Sequence, residues 1–418
     1  MKSLKNLPHA AANGLLDRRL FLKTGGMSGL ALFTANVSSQ EREKWSLNPG
    51  VGMGEFGSPS RYESHIKRSF GSRPGTTGSG ASRTPIQHLD GMITPSRLHF
   101  ERHHSGVPDI NPDQHKLIIY GLVERPLMFT LNALSRYPTV SKVQFLECSG
   151  NSGTQAILSK PRQGSVSDLH GLISCSEWGG ILLSTLLDET GLKKNAKWII
   201  AGGSDSAMMS RSIPIEKALD DAMIALYQNG ERIRPSNGYP MRLFLPGWEG
   251  NASVKWLTSL KVTSSPAMTK DETSKYSDTL DTGISELFTF PMSVKSLITS
   301  PSPGLNLHEK GVYQISGIAW SGTGKIKNVE ISTDGGKTWA KSALDQHVLP
   351  KALTRFRSAW MWDGSPTTIM SRATDESGVV QPVRETWKVG RAENSFYHYN
   401  AIQAWSINEA GESSNVYV

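Results

Sequence analysis

Phe145-Leu146-Glu147-Cys148-Ser149-Gly150-Asn151 closes an apolar run and opens it into a glycine-containing turn. The run Lys142-Val143-Gln144-Phe145-Leu146 reads as a strand, so Cys148 falls at a strand end with its thiol facing outward. Cys148 and Cys175 are the only two cysteines in the chain. A thiolate so placed can act as a nucleophile, as a soft metal ligand or as half of a disulfide, although a free cysteine taken alone is most often a small buried hydrophobe. The sequence on either side decides between these readings.

Upstream, His115-Lys116-Leu117-Ile118-Ile119-Tyr120-Gly121 reads as a second strand, and Leu127–Tyr137 holds a short helix capped by Thr130. Downstream, Ile181–Thr190 and Ile215–Met223 carry helical spacing, while Lys197–Ile200 and Met241–Leu245 read as buried strands. Strands and helices mixed in this way predict an α+β domain running to about Ser264. Beyond the polar linker Lys270–Lys275 the character changes. Val312–Trp320, Ile326–Ser332, Lys337–Leu344 and Ala359–Trp362 are short strands, separated by turns such as Thr333-Asp334-Gly335-Gly336. Even spacing of short strands with glycine turns predicts an immunoglobulin-like β-sandwich held by its Trp, Val and Ile core. On the other side, about Glu41 to Gly91 is rich in Gly, Ser, Pro and Arg without periodicity, which predicts an extended surface arm. The expected divisions are residues 1–39, 40–93, 94–275 and 276–418.

The first of these divisions reads as an export signal. Asp17-Arg18-Arg19-Leu20-Phe21-Leu22-Lys23 precedes a mildly apolar, glycine-rich stretch from Thr24 to Val37, the pattern of a twin-arginine leader. That pathway carries folded proteins, so it predicts a periplasmic enzyme whose cofactor is inserted before export. Elsewhere no stretch is long and apolar enough to span a membrane. The 418 residues carry a formal charge of +8, of which +4 lies in residues 1–39 (Lys2, Lys5, Arg18, Arg19 and Lys23 against Asp17), leaving +4. With no basic stripe interleaved with aromatics, a nucleic-acid partner is not expected. One Cys148–Cys175 bridge is conceivable in an oxidising periplasm and would leave a non-catalytic scaffold with no metal.

Six motifs occur in one order along the chain: Phe100-Glu101-Arg102-His103-His104, Cys148-Ser149-Gly150-Asn151, Glu177-Trp178-Gly179-Gly180, Asn237-Gly238-Tyr239-Pro240-Met241-Arg242, Leu245-Pro246-Gly247-Trp248-Glu249-Gly250 and Ser253-Val254-Lys255-Trp256-Leu257. Together they resemble the sulfite oxidase family of molybdenum–molybdopterin enzymes, from Thr94 to the C-terminus, and within it the sulfane dehydrogenase type of periplasmic thiosulfate-oxidising (Sox) systems. The resemblance implies a molybdopterin-binding α+β domain followed by an immunoglobulin-like dimerisation domain. It places the molybdenum-ligating thiolate on Cys148, where a soft sulfur ligand tunes the metal while the cofactor carries the redox chemistry. Cys175 is then a core residue.

The same resemblance assigns the anionic phosphate of the pterin to Arg242, Ser253, Val254 and Lys255, with further matches at His104, Ser204, Asp205 and Asn237. Asn237 stands where the family commonly has histidine. Arg102 matches an arginine directed at the substrate anion, Tyr276 an active-site tyrosine and Trp178 an aromatic wall of the pocket. Two departures stand out: Gly153 replaces an arginine of sulfite oxidases, and a second arginine, from the C-terminal domain, is replaced near Ile407. Fewer cations and more room fit a sulfane sulfur carried on another protein better than free sulfite. The implied activity is oxygen-atom transfer from Mo(VI) to sulfur, with a sulfite dehydrogenase as the alternative. The chain has no Cys-x-x-Cys-His motif, so no haem is expected in it. A c-type cytochrome subunit is therefore the expected electron acceptor, within a heterotetramer built on a homodimer of this chain.

Overall fold

The strand that ends in Cys148 spans Val140–Glu147 and is buried from Gln144 onward. Successive side chains of a strand point to opposite faces. Here Phe145 enters the large core shared with the C-terminal domain, and Leu146 enters a separate cluster with Phe100, Trp178 and Phe244. A strand covered on both faces reads as a continuous apolar run, and this is the origin of the pattern. The computed structural model describes residues 11–15, 48–49, 51–72 and 76–418. The Arg18-Arg19 pair and the apolar stretch behind it lie outside the described residues.

The first domain is built on two sheets. One has the order Glu231–Arg232, Met223–Gln228, Ile173–Leu182, Val140–Glu147, with Arg242–Phe244 also pairing Met223–Gln228. The other has the order Leu127–Thr130, Lys116–Gly121, Leu257–Thr263, Trp198–Gly203, Ser210–Pro214, and its Lys116–Gly121 and Leu257–Thr263 strands run parallel. Leu117, Ile119, Leu186, Leu187, Ile199 and Leu260 pack between that sheet and the short helices. The second domain is a sandwich of a four-stranded sheet (Lys295–Ser300, Gly311–Trp320, Thr354–Trp362, Ala343–Leu344) against a five-stranded one that ends in Ala404–Ile407 and Ser413–Val416. Its Trp320, Phe356, Trp360 and Trp405 form one cluster with Phe145, Ile173 and Cys175, so the two domains share a core.

Several sequence expectations shift by a few residues. Ile181 and Leu182 finish a strand, and the helix begins at Leu183. The reason is tertiary, because a Cβ at Gly180 would lie 2.1 Å from Ile224 O, and glycine alone permits that close strand pairing. Thr130 does cap a helix, accepting from Ala133 N, but that helix is only Leu131–Leu134 and the residues before it are a strand. The arm is more structured than its composition implied. Ser69–Ser72 and Gly80–Arg83 form a three-stranded sheet with Glu101–His103, and the arm thereby becomes part of the wall that carries Arg102.

Candidate active site

A single cavity gathers the motifs. It holds about 670 Å³ of unfilled space, part of it open to solvent. Arg102, His103 and His104 line it from the small sheet, Cys148 from its strand end, Asp205 from the loop after Trp198–Gly203, and Asn237, Arg242 and Ser253–Trp256 from the loops around Arg242–Phe244; Tyr276 closes it.

Cys148 is held by the turn that follows it. Its N–H donates to Leu172 O (3.0 Å), and its carbonyl accepts from Asn151 N (2.8 Å). Asn151 Nδ2 donates to Glu147 Oε1 (2.9 Å), its Oδ1 accepts from Leu172 N, and Gly250 N closes the far side on Glu147 O. Burial pushes the thiol pKa up, and Glu249 and Glu147 add to the rise against the lowering effects of the Gly150 backbone and Arg102. A thiol raised in this way is a poor free nucleophile, whereas a bound metal ion deprotonates a coordinating thiol outright. Both cysteines are free, so the disulfide alternative is excluded. Cys175 is wholly buried in the interdomain core.

The cations of the cavity lack acids. Arg242 is buried; its Nε donates to Ser253 O (3.1 Å) and its Nη1 to Asn237 O (3.0 Å), leaving Nη2 without a partner among the described residues. Burial drives its pKa down to about 9. The Lys255 ammonium donates to Arg102 O (3.1 Å), Ser236 O (3.2 Å) and His103 Nδ1 (2.7 Å), so no carboxylate pairs with it directly, and Glu101 and Asp205 act on it only at longer range. Burial, followed by the charge of Arg242, lowers its pKa well below the ordinary lysine value. Arg102 donates to the carbonyls of Gly80 and His103. Glu101, the nearby acid, is already engaged by Arg68 and His103. Buried charge is costly unless it is paired, so the cavity is built for an anion. Among the described residues no group of three or more His, Cys, Asp or Glu could hold a metal ion. Cys148 Sγ as a single protein ligand, with the buried cations facing an anionic pterin phosphate, fits the residues present.

Tyr276 turns out to be a wall of the cavity, buried although it follows a polar linker. Its hydroxyl lies 2.7 Å from His104 Nε2, and Lys275 Nζ lies 3.1 Å from His104 Nδ1. Burial, then Arg102 and the neighbouring lysines, hold His104 neutral with a pKa of about 3. An ammonium only donates, so Nδ1 accepts from Lys275 and Nε2–H donates to Tyr276. The phenolic proton, whose pKa burial raises well above the usual value, is left free to point into the cavity.

Several expectations require correction. Trp178 does not line the cavity. It lies fully buried behind it, stacked on Phe244 (4.7 Å) and under the Arg242 guanidinium (5.5 Å), because its strand turns that face toward the core. Ser204 is exposed and off the cavity, while its neighbour Asp205 faces inward, accepting from Ser105 Oγ and Met209 N. Asn237 lines the cavity, but its amide donates to Gln228 Oε1 (3.1 Å) and its carbonyl serves Arg242. Gly153 opens no space, since a Cβ there would lie 2.4 Å from Phe396 O and 2.7 Å from the Phe396 ring. Ile407 is a core residue of the sandwich; from the second domain Tyr397 packs behind Tyr276 (ring centroids 5.7 Å) and Phe396 over Gly150 and Gly153. The Arg211–Glu249–Glu272 cluster and Lys295 behind Glu147 were not anticipated, and of these residues Glu147 and Glu249 alone lie inside quoted motifs.

Comparison with known proteins agrees with this geometry. The oxidoreductase molybdopterin binding domain model matches residues 104–270, and the Mo-co oxidoreductase dimerisation domain model matches residues 287–405. Sulfite oxidase of Gallus gallus is 29% identical over 338 residues, covering 73% of this chain and 72% of that protein. Nitrate reductase [NADH] of Ulva prolifera is 30% identical over 369 residues, and the chain spans only 42% of its length. The crystal structure of the sulfane dehydrogenase SoxCD from Paracoccus pantotrophus superposes with a TM-score of 0.88 at 41% identity, covering 90% of this chain and 98% of that one. With its cysteine, its unpaired cations and both domain models in register, the chain belongs to the sulfite oxidase family of molybdenum–molybdopterin oxidoreductases.

Proposed function

We propose that the chain is the molybdenum subunit of a periplasmic sulfane dehydrogenase, which oxidises a sulfane sulfur borne on a carrier protein and passes electrons to a c-type cytochrome subunit. The observation that carries this reading is the likeness to the SoxCD sulfane dehydrogenase over 90% of the chain, joined to a cavity whose cations lack acids. Bound there, the cofactor supplies two-electron oxygen-atom transfer at molybdenum. Cys148 Sγ would hold the metal, and Arg242 and Lys255 would neutralise the pterin phosphate. Tyr276, its hydroxyl oriented by His104, would direct its phenolic proton into the cavity toward the substrate. Arg102 faces the polar end of the substrate.

Substrate choice rests on Phe396. Its ring covers the backbone at Gly153, where the resemblance to sulfite oxidases would place an arginine, so that position offers no cation. A free dianion loses one charge-assisted contact there, which favours a larger, less charged sulfur substrate. The retained Arg102 and Tyr276 favour free sulfite as the second reading. The electron path, the export route and a heterotetramer built through the C-terminal domain belong to the same proposal. Assaying molybdenum-loaded complex on sulfite and on carrier-bound sulfane sulfur, with one acceptor, tests it. Turnover at least about tenfold faster on the carrier is expected, the scale of one lost charge-assisted contact. Faster turnover on free sulfite overturns it.

A further inference from the structure

Residues Ala11-Ala12-Asn13-Gly14-Leu15 are bound to the C-terminal sandwich. The strand Thr354–Trp362 pairs along its whole length with Gly311–Trp320 on one side, but on the other Ala343–Leu344 and Asp345 N cover only its first half, from Arg355 to Arg357. Leu15 adds an antiparallel bridge to Trp360 on that open edge, and Met361 N donates to Gly14 O (2.8 Å). The Leu15 side chain is 1% exposed, inside the core cluster of the sandwich. Polar groups of the domain read the turn before it. Trp360 Nε1 donates to Asn13 O (2.8 Å), and Thr333 Oγ1 donates to Ala12 O (3.1 Å). Asn13 Nδ2 donates to Thr333 O (2.5 Å) and to Thr367 Oγ1 (2.7 Å), and Ala12 N donates to Thr338 Oγ1 (3.1 Å).

The backbone conformation makes the contact selective. Asn13 and Gly14 both have positive φ, 57° and 83°, a region that asparagine and glycine enter most cheaply. A Cβ on residue 14 would lie 2.0 Å from Met361 O. Strand addition to a free edge, with a buried apolar anchor and main-chain bonds, is a general mode of peptide recognition.

We infer that this edge is a peptide-binding groove for an Asn-Gly-Leu turn, and that its occupant is this chain's own segment 11–15, clamping the start of the chain to the folded C-terminal domain. The clamp ends three residues before Arg18. Where residues 1–39 act as an export leader, as the proposed function holds, the leader is thus tied to a domain that binds it only once folded, and its removal vacates the groove.

Hydrogen exchange on the purified full-length chain tests the clamp without reference to export. In the wild type, the Ala12 and Met361 amides should be protected. In Gly14→Val, the peptide covering Met361 should exchange about tenfold faster or more, as expected for a lost local contact. A synthetic peptide of residues 9–17 added to that variant should restore protection saturably, and the same peptide carrying the Gly→Val change should not. Unprotected Ala12 and Met361 amides in the wild type, unchanged exchange in the variant, or no response to the peptide each overturn the inference. Loss of twin-arginine export with these results intact would remove the leader reading and leave the groove.

Discussion

Arg211 and Arg242 are both buried arginines of the first domain, and they are treated in opposite ways. Arg211 donates from Nη2 to Glu249 (2.8 Å) and from Nε to Glu272 (3.0 Å), and although burial works against it, these two carboxylates raise its pKa. Arg242 has two carbonyls and no acid, and burial drives its pKa down. The first charge is neutralised within the chain, and the second is neutralised only by something that enters. Folding alone stabilises the Arg211 cluster, whereas the cavity reaches electrostatic balance when an anion binds.

Arg211→Met is the harshest test of that contrast. It leaves Glu249 with His398 and Asn251 and Glu272 with Ser212 N, both buried without their arginine, and should cost about 3–5 kcal/mol in denaturant unfolding of the apo chain. A loss below about 1 kcal/mol would mean the pair is not what balances this region. Next in size, Cys148→Ser should lower turnover by more than the ~100-fold typical of a lost outer-shell partner, with the pterin largely retained, since other contacts hold it. Cofactor analysis beside the activity assay separates the two effects, and near-normal turnover would remove Cys148 as ligand. Arg242→Met should reverse the Arg211 result: apo stability unchanged or higher, cofactor affinity down roughly tenfold to a hundredfold. Equal apo destabilisation by the two arginine variants would break the comparison outright.

Gly153→Arg sharpens the substrate argument. Phe396 fills the site of the new side chain, so the variant should lose about 1–3 kcal/mol of stability through overpacking, without gaining sulfite turnover. Improved sulfite use would show that Phe396 yields. The smallest effect belongs to Cys175→Ala, a change in the interdomain core at a residue that does not line the cavity. Roughly 1 kcal/mol of stability should be lost with turnover intact, as measured by unfolding and steady-state rates.

The motif residues were largely legible because each lies next to the local pattern that positions it. Cys148 follows a doubly buried strand, Arg242 begins another, and Lys255 sits in the loop between Arg242–Phe244 and Leu257–Thr263. The strands Val312–Trp320, Ile326–Ser332 and Ala359–Trp362 announced themselves through short alternating runs and glycine turns and are kept with shifts at their ends, whereas the expected strand Lys337–Leu344 is split into Ala340–Lys341 and Ala343–Leu344, which join different sheets. The helix expected from Ile181 shows where such reading stops. An apolar run fits a strand end and a helix start equally well, and the neighbour facing Gly180 made the choice.

By itself, then, the sequence determined the order of the two domains, the identity of the thiol and cations that meet at one cavity, and the family to which they belong. Tertiary structure alone decided which face each side chain took. It turned Trp178 behind Arg242, turned Asp205 inward while leaving Ser204 outside, brought Phe396 onto Gly153, and laid residues 11–15 on Trp360. The physical reason is range. Strand alternation, helix caps and turns are set by residues a few positions apart, while burial, pairing of charge and the filling of a cavity depend on segments that meet only after the chain has folded.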